Sequence, residues 1–165
     1  MPTYQFIKAL LRSTSDLEID NEHLMVISPD EGAMNRTMYF SSVLGVDIGM
    51  FYKRRDYSVV VDGRNPIVAH EFLGSSVEGK DMISSGESML DVARELKRRK
   101  ARRVFCISTF GMFTNGLESF DKAYEEGLIY KVITTNCTYQ RPDLFERPWY
   151  VSCDVAKYIA LLIDS

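Results

Sequence analysis

The sequence predicts an α/β protein with a mostly parallel sheet and helices on both faces. Short apolar segments that are typical of buried strands alternate along the chain with segments of helical periodicity. Strands that alternate with helices of ten to fifteen residues imply βαβ units, in which the crossover helices cover both faces of the sheet. The 165 residues suit one ordinary domain, and no repeat or low-complexity tract divides them. Residues 1–165 are therefore expected to form one domain.

The first half of the chain supplies a strand–helix–strand pattern after an initial helix. Phe6, Ile7, Leu10 and Leu11 mark one face of that helix. The expected elements that follow are a strand over 23–27, a helix from Met34 to a stop at Gly45, a strand over 46–51, and two strands over 59–61 and 67–69. A basic loop over 53–56 and a turn over 62–66 are expected between them.

The second half is more regular. Met89, Val92, Ala93 and Leu96 follow the i, i+3, i+4, i+7 spacing of a helix with one buried face. The remaining expected elements are a strand over 104–107, a helix that carries Leu117, Phe120 and Tyr124 and closes at Gly127, a strand over 130–134, and a final amphipathic helix that carries Val155, Tyr158, Ile159 and Leu162. Trp149 and its neighbours predict a packed loop.

Composition excludes several classes of protein. Apolar residues make up 45% and the net charge is −3, which argues for a globular chain and against a nucleic-acid-binding surface. Six cations lie within residues 97–103, where they are expected to complement a helix C-terminus. The three cysteines, Cys106, Cys137 and Cys153, and the two histidines, His23 and His70, fit no zinc spacing and no catalytic triad. We expect buried cysteines in a reduced, cytoplasmic protein with no membrane or nucleic-acid partner.

Residues 28–32 form the first loop that could carry chemistry, because ligands of parallel sheets bind where the strands end. Asp30 follows a buried strand, where a carboxylate can hold Mg²⁺ or accept hydrogen bonds from sugar hydroxyls. The alternative is a type I turn with Pro29 and an acidic helix start, which needs no ligand.

The second loop is basic. Lys53, Arg54 and Arg55 could gather around a polyphosphate and offset the charge that develops during phosphoryl transfer. The alternative is a charge run exposed to solvent.

The third loop opens the helix that begins near Met89. Backbone N–H groups at a helix start, together with small hydroxylated residues and a glycine, form an anion site. The residues that would form it are Ser84, Ser85, Gly86, Glu87 and Ser88. The alternative is a capping box between Ser84 and Glu87, which binds no ligand.

Six segments in this order resemble the ribose-phosphate pyrophosphokinases, also called phosphoribosyl pyrophosphate (PRPP) synthetases. They are residues 26–32, 52–55, 77–81, 82–88, 109–116 and 133–136. The resemblance covers nearly the whole chain and implies a type I phosphoribosyltransferase fold. It also implies transfer of the β,γ-diphosphoryl group of ATP to ribose 5-phosphate, which gives PRPP and AMP.

The resemblance implies a role for each loop. Asp30 would contact the ribose hydroxyls and Mg²⁺, while Lys53 and Arg55 would stabilise the transferring group. The loop from Ser84 to Ser88 would hold the 5-phosphate through backbone amides. The family also assembles through this domain, so a homo-oligomer is expected.

Two departures from the family pattern bear on activity. The chain corresponds only to the C-terminal half of the family's two-domain chain, whereas the other domain carries most of the ATP site. In addition, Asp81 runs directly into Met82, so that about six residues, the length of one strand, are absent. The absent segment would include a central strand and at least one of two ribose-binding carboxylates. Asp81 could stand in for one carboxylate, and residues 72–77 could replace the strand.

Three hypotheses follow from these departures. The chain is a partial catalytic domain that supplies the ribose 5-phosphate site, or a non-catalytic regulatory or phosphate-binding member of the family. The third and weakest is a phosphoribosyltransferase that consumes PRPP, since it needs the same acidic pair.

Overall fold

The computed structural model describes residues 2–55, 57–60, 67–85 and 89–164, with the backbone alone at 53–55 and 67–70. The helices are α1 (Thr3–Ser13), α2 (Met34–Leu44), α3 (Met89–Arg98), α4 (Glu118–Glu125) and α5 (Ala156–Ile163). The strands are β1 (Leu24–Ser28), β2 (Ile48–Arg55), β3 (Ile67–Leu73), β4 (Asp81–Ser85), β5 (Arg103–Ser108), β6 (Lys131–Thr135) and β7 (Tyr150–Cys153). Two short 3₁₀ helices span Glu31–Ala33 and Pro142–Glu146.

The described strands form one seven-stranded sheet in the order β3-β2-β1-β4-β5-β6-β7. Only the β2–β3 pair is antiparallel, and the other five pairs are parallel. The predicted fold class, a mostly parallel α/β sheet, is confirmed. Parallel strands place their carboxyl ends at one edge of the sheet, called here the carboxyl edge, and their amino ends at the opposite amino edge.

Each face of the sheet carries its own hydrophobic cluster. Val92 and Leu96 of α3 pack on one face with Trp149, which is fully buried. Phe6 of α1 and Phe40 of α2 pack on the other face. The apolar stripe that predicted the α3 helix is the stripe that faces the sheet, so the prediction of helices on both faces is confirmed.

The central strand of the sheet is present and is five residues long. Strand β4, residues Asp81–Ser85, lies between β1 and β5. Residues that the sequence assigned to the phosphate loop, Ser84 and Ser85, therefore belong to the central strand. Residues 72–77 do not replace that strand, because β3 ends at Leu73 on the outer edge of the sheet.

Other expectations need correction. Lys53, Arg54 and Arg55 were expected in a loop, but they end strand β2 and pair with β3. Val59 and Val60 are not in a strand, while residues 61–66 lie outside the described part of the chain. Strand β7 was not anticipated, since the Pro148–Trp149 pair suggested only a loop.

Cys137 is exposed, whereas Cys106 and Cys153 are buried as expected. Burial raises the pKa of the Cys106 thiol to about 12 and that of the Cys153 thiol to about 11. Among the described residues, no helix has both the length and the apolar character needed to cross a bilayer.

The cations of residues 97–103 all have partners within the domain. Lys97 donates to the backbone carbonyls of Ala101 and Arg102 at 3.0 and 2.8 Å, which ties the last turn of α3 to the segment that leads into β5. The other five contact a carboxylate or an aromatic ring: Arg98 with Glu95, Arg99 with Phe72, Lys100 with Glu78, Arg102 with Asp16, and Arg103 with Asp81. The run is therefore held by internal contacts.

Candidate functional site

The carboxyl edge of β1 carries the predicted acidic loop. Ser28 ends the strand, and its hydroxyl donates to the backbone carbonyl of Asp30 at 2.7 Å. Asp30 Oδ1 in turn accepts the backbone N–H of Ala33 at 3.0 Å and caps the first 3₁₀ helix. The expected acidic helix start describes this geometry, whereas the expected type I turn is wrong, because the Asp30 backbone is extended, with φ of −163° and ψ of 174°. Asp30 is exposed, and its second carboxylate oxygen has no hydrogen-bond partner among the described residues, so it can bind a ligand.

The carboxyl end of β4 lies beside this loop, since β1 and β4 are adjacent parallel strands. Ser84 is fully buried, and its hydroxyl has no hydrogen-bond partner among the described residues. A buried hydroxyl without a hydrogen-bond partner lowers stability unless a ligand or a water molecule forms a hydrogen bond with it. Ser85 is half-buried at the end of the strand. Gly86, Glu87 and Ser88 lie outside the described residues, and α3 begins at Met89.

Asp81 lies at the opposite end of the same strand. It begins β4, in register with Leu24 and Arg103, so about 13 Å of strand separate it from Ser85. Its carboxylate is 1% exposed and accepts two hydrogen bonds from Arg103, at 2.9 and 2.6 Å. These bonds to Asp81 raise the pKa of Arg103, with smaller help from Asp16, so the guanidinium stays charged. The structure therefore does not bring Asp81 close to Ser84 and Ser85. The contacts of Asp81 with Arg103 are those of a structural ion pair.

The basic residues extend above the carboxyl edge. Ser28 of β1 is in register with Met50 of β2, so Lys53 and Arg55 lie three and five residues beyond the last residue of β1. At about 3.4 Å per residue, this places their backbones roughly 10 and 17 Å beyond the end of β1. Strands β2 and β3 thus form an antiparallel ribbon that extends past the ends of β1 and β4, at Ser28 and Ser85.

Two aromatic rings pack against each other at the base of this ribbon. Phe51 and Phe72 face each other across the two strands with ring centroids 5.2 Å apart. The Arg99 guanidinium, just past α3, lies over both rings, 5.9 Å from the Phe51 centroid and 5.3 Å from the Phe72 centroid. Gly49 permits this packing, because a Cβ there would lie 2.7 Å from the Phe72 ring. Sequence reasoning missed Arg99, since its only signal was a place within a charge run.

Two further motif segments end at the carboxyl edge. The hydroxyl of Thr135 donates to the carbonyl of Thr109, which ties residues 109–116 to the end of β6. Gly111 packs on β6 so closely that a Cβ would lie 2.7 Å from Thr134 Oγ1. Asn136 links β6 to the start of α5, because its Oδ1 accepts the Val155 N–H at 3.0 Å. These contacts fix the loops that follow β5 and β6.

The acidic loop offers the exposed carboxylate of Asp30 for Mg²⁺, and Glu31 beside it is also exposed. Magnesium is commonly held by one or two carboxylates together with substrate phosphates and water, so Asp30 fits this donor set. Among the described residues, Glu18, Asp20 and His23 form the one cluster of three possible metal ligands. That cluster lies at the amino edge, where His23 directly precedes β1, so it does not serve the carboxyl edge.

Comparison with known proteins gives related sequences. The chain is 31% identical over 120 residues to ribose-phosphate pyrophosphokinase of Ralstonia nicotianae, and 28% identical over 121 residues to that of Pyrococcus abyssi. The chain is related to the ribose-phosphate pyrophosphokinases. These matches cover 68% and 67% of this chain but only 36% and 39% of the two relatives. The likeness predicted from the six motif segments is thus confirmed, and the chain spans less than half the length of these pyrophosphokinases.

A solved structure supports the same fold. Phosphoribosylpyrophosphate synthetase from Mycobacterium smegmatis superposes with a TM-score of 0.72 at 20% identity. The superposition covers 97% of this chain and 49% of that one. No protein-family model matches the sequence.

Proposed function

We propose that the chain is the part of a ribose-phosphate diphosphokinase that holds ribose 5-phosphate, and that it corresponds to the C-terminal half of the family chain. The observation that carries this proposal is the carboxyl edge, where the acidic loop, the end of β4 and two further motif segments meet beside the basic ribbon. The pyrophosphokinase relatives support the substrate class.

The 5-phosphate is assigned to the N-terminus of α3. Backbone N–H groups at a helix start carry partial positive charge and donate to phosphate oxygens. Ser84, Ser85, Gly86, Glu87 and Ser88 lead into this helix, and the buried Ser84 hydroxyl has no acceptor among the described residues. Asp30, on the adjacent strand, is assigned to the ribose hydroxyls and to Mg²⁺, which would supply positive charge to the phosphates of ATP.

Lys53 and Arg55 are assigned to the transferring group. The anomeric oxygen of ribose 5-phosphate would attack the β-phosphorus of ATP and lose its proton, and the bond from that phosphorus to the bridging α,β-oxygen would break. The products are PRPP and AMP. Cations beside the transferring diphosphoryl group lower the barrier because negative charge builds on the oxygens as this bond breaks.

The chain matches only part of a diphosphokinase. The chain covers 36% of the Ralstonia relative, so we propose that ATP is bound mainly by a further domain, joined to this one or supplied separately. A homo-oligomer is also proposed. Exposed apolar side chains on α5 support it, since Leu162 and Ile163 are 58% and 80% exposed.

Calorimetry with ribose 5-phosphate tests the binding assignment, and AMP release tests the catalytic one. The chain is expected to bind ribose 5-phosphate alone. It is expected to release AMP from ATP only when mixed with the portion of the Ralstonia relative that lies outside the matched segment. Mutation of Lys53 and Arg55 to alanine should leave ribose 5-phosphate binding intact and abolish AMP release. Absence of ribose 5-phosphate binding would contradict the proposal.

One observation favours a second candidate, a non-catalytic phosphate-binding member of the family. Asp81 is held by Arg103 at the amino edge, so the described carboxyl edge offers Asp30 but not the stand-in carboxylate. Binding of ribose 5-phosphate with no AMP release, even with the added portion of the relative, supports this second candidate.

A further inference from the structure

A groove runs between α1 and α5 along the end of β7, at the outer edge of the sheet. Its volume is about 640 Å³, which lies within the range of small-molecule sites. The helix α1 forms one wall, α5 the other, and the end of β7 the floor. None of the residues assigned to the ribose 5-phosphate site lines it.

Three cations line this groove from both walls. Lys8 and Arg12 lie one helical turn apart on α1, and Lys157 lies on α5. All three are exposed, and none forms an ion pair with another described residue. The cations of residues 97–103 differ in this respect, because each has an internal partner. Cations that converge on one cavity without internal partners are suited to an external anion.

The groove keeps a net positive charge. Asp154 is the only carboxylate among its lining residues, against three cations. Its Oδ1 accepts the backbone N–H of Ala156 and the Asn136 amide, each at 2.9 Å. These hydrogen bonds lower the pKa of Asp154 and occupy one of its oxygens at the start of α5. This local excess of positive charge contrasts with the net charge of −3 for the whole chain.

Apolar side chains lie between the cations. Ala9 and Val151 line the groove together with Tyr158 and Leu161 of α5. We propose that this groove binds a small organic anion that carries at least two negative charges, with its charged groups bridging Lys8 and Arg12 on one wall and Lys157 on the other. A bridging ligand gains from both walls, whereas a singly charged one reaches only one wall.

Calorimetric titration with two probes tests the inference. Inorganic tripolyphosphate presents phosphate charge and citrate presents carboxylate charge. The variant with Lys8→Gln, Arg12→Gln and Lys157→Gln is expected to bind the preferred probe at least about tenfold more weakly, since three charge-assisted contacts are lost. The matched control carries Arg94→Gln, Lys122→Gln and Arg141→Gln, which change the net charge equally on surfaces outside the groove. This control should keep affinity within about twofold.

The outcomes separate this inference from the proposed function. Preference for tripolyphosphate or for citrate, with loss only in the groove variant, supports the inference and identifies the charged group. Absence of binding by either probe, or equal loss in the control variant, overturns it. Ribose 5-phosphate is titrated into the same proteins. If that ligand fails to bind while the groove responds as expected, the proposed function fails and the groove assignment stands.

Discussion

Replacement of Asp81 by asparagine separates a structural role from a ligand-binding role. The side chain keeps its size but loses its charge. The Arg103 side chain, which is 12% exposed, then has Asp16, at 2.8 Å, as its only charged partner among the described residues. Loss of one partner from a buried ion pair costs about 3–5 kcal/mol, and the remaining bond to Asp16 favours the lower end. A loss of about 3 kcal/mol lowers the melting temperature of a chain of this size by roughly 6–12 °C.

Thermal unfolding and ribose 5-phosphate calorimetry, run on the same samples at a temperature where both proteins are folded, measure the two roles. We expect the Asp81→Asn protein to melt earlier and to bind ribose 5-phosphate with unchanged affinity, because Asp81 lies at the amino edge. Arg102→Gln is the control. Arg102 is 46% exposed and lies 3.8 Å from Asp81, so its loss should cost less than about 1 kcal/mol. An unchanged melting temperature together with lost ligand affinity would refute the assignment of Asp81 to a structural ion pair.

Three further predictions concern other parts of the chain. The hydrogen bond that His23 donates to Asp20 raises the pKa of His23, so this pair contributes stability below pH 6.5 that is lost as pH rises through the raised value. His23→Gln should remove that loss from the melting curves between pH 5 and 9. Ser84→Ala removes a buried hydroxyl that has no partner among the described residues, so it should raise the melting temperature by about 3 °C while it weakens ribose 5-phosphate binding. A lower melting temperature would mean that the hydroxyl has a partner. Arg99→Gln should speed tryptic cleavage at residues 53–55 by about two- to fivefold, because it removes the cation that packs on Phe72 at the base of the ribbon. Arg99→Lys keeps a cation over Phe72 and should restore the slower rate.

Local pattern was sufficient for the elements with a strong period. The Met89–Leu96 stripe predicted α3 because one buried face of a helix repeats every three to four residues. Gly45 marked the end of α2 because it adopts a left-handed conformation, with φ of 68°, that other residues avoid. Strand β7 was missed because its four residues are too few to show a period and follow a proline–tryptophan pair.

The candidate site was predicted unevenly for a related reason. Asp30 was expected beyond the end of an apolar strand, and the structure has it two residues past β1. Ser84 and Ser85 were expected in a loop but belong to β4. Asp81 begins that strand, which sequence alone does not show. Residues 81–85 fill the central strand, and Asp81 meets Arg103 at its amino end. Pairing with two neighbouring strands decided this register.

The sequence by itself determined the fold class, the helices and the likeness to the pyrophosphokinases, since these depend on residue order and local periodicity. Tertiary structure alone decided which charges meet. It paired Asp81 with Arg103, laid Arg99 over Phe51 and Phe72, and left Lys8, Arg12 and Lys157 facing one groove. The physical reason is that ion pairs and ring contacts join residues far apart in the chain, and their partners are set by strand register and helix packing rather than by neighbouring residues.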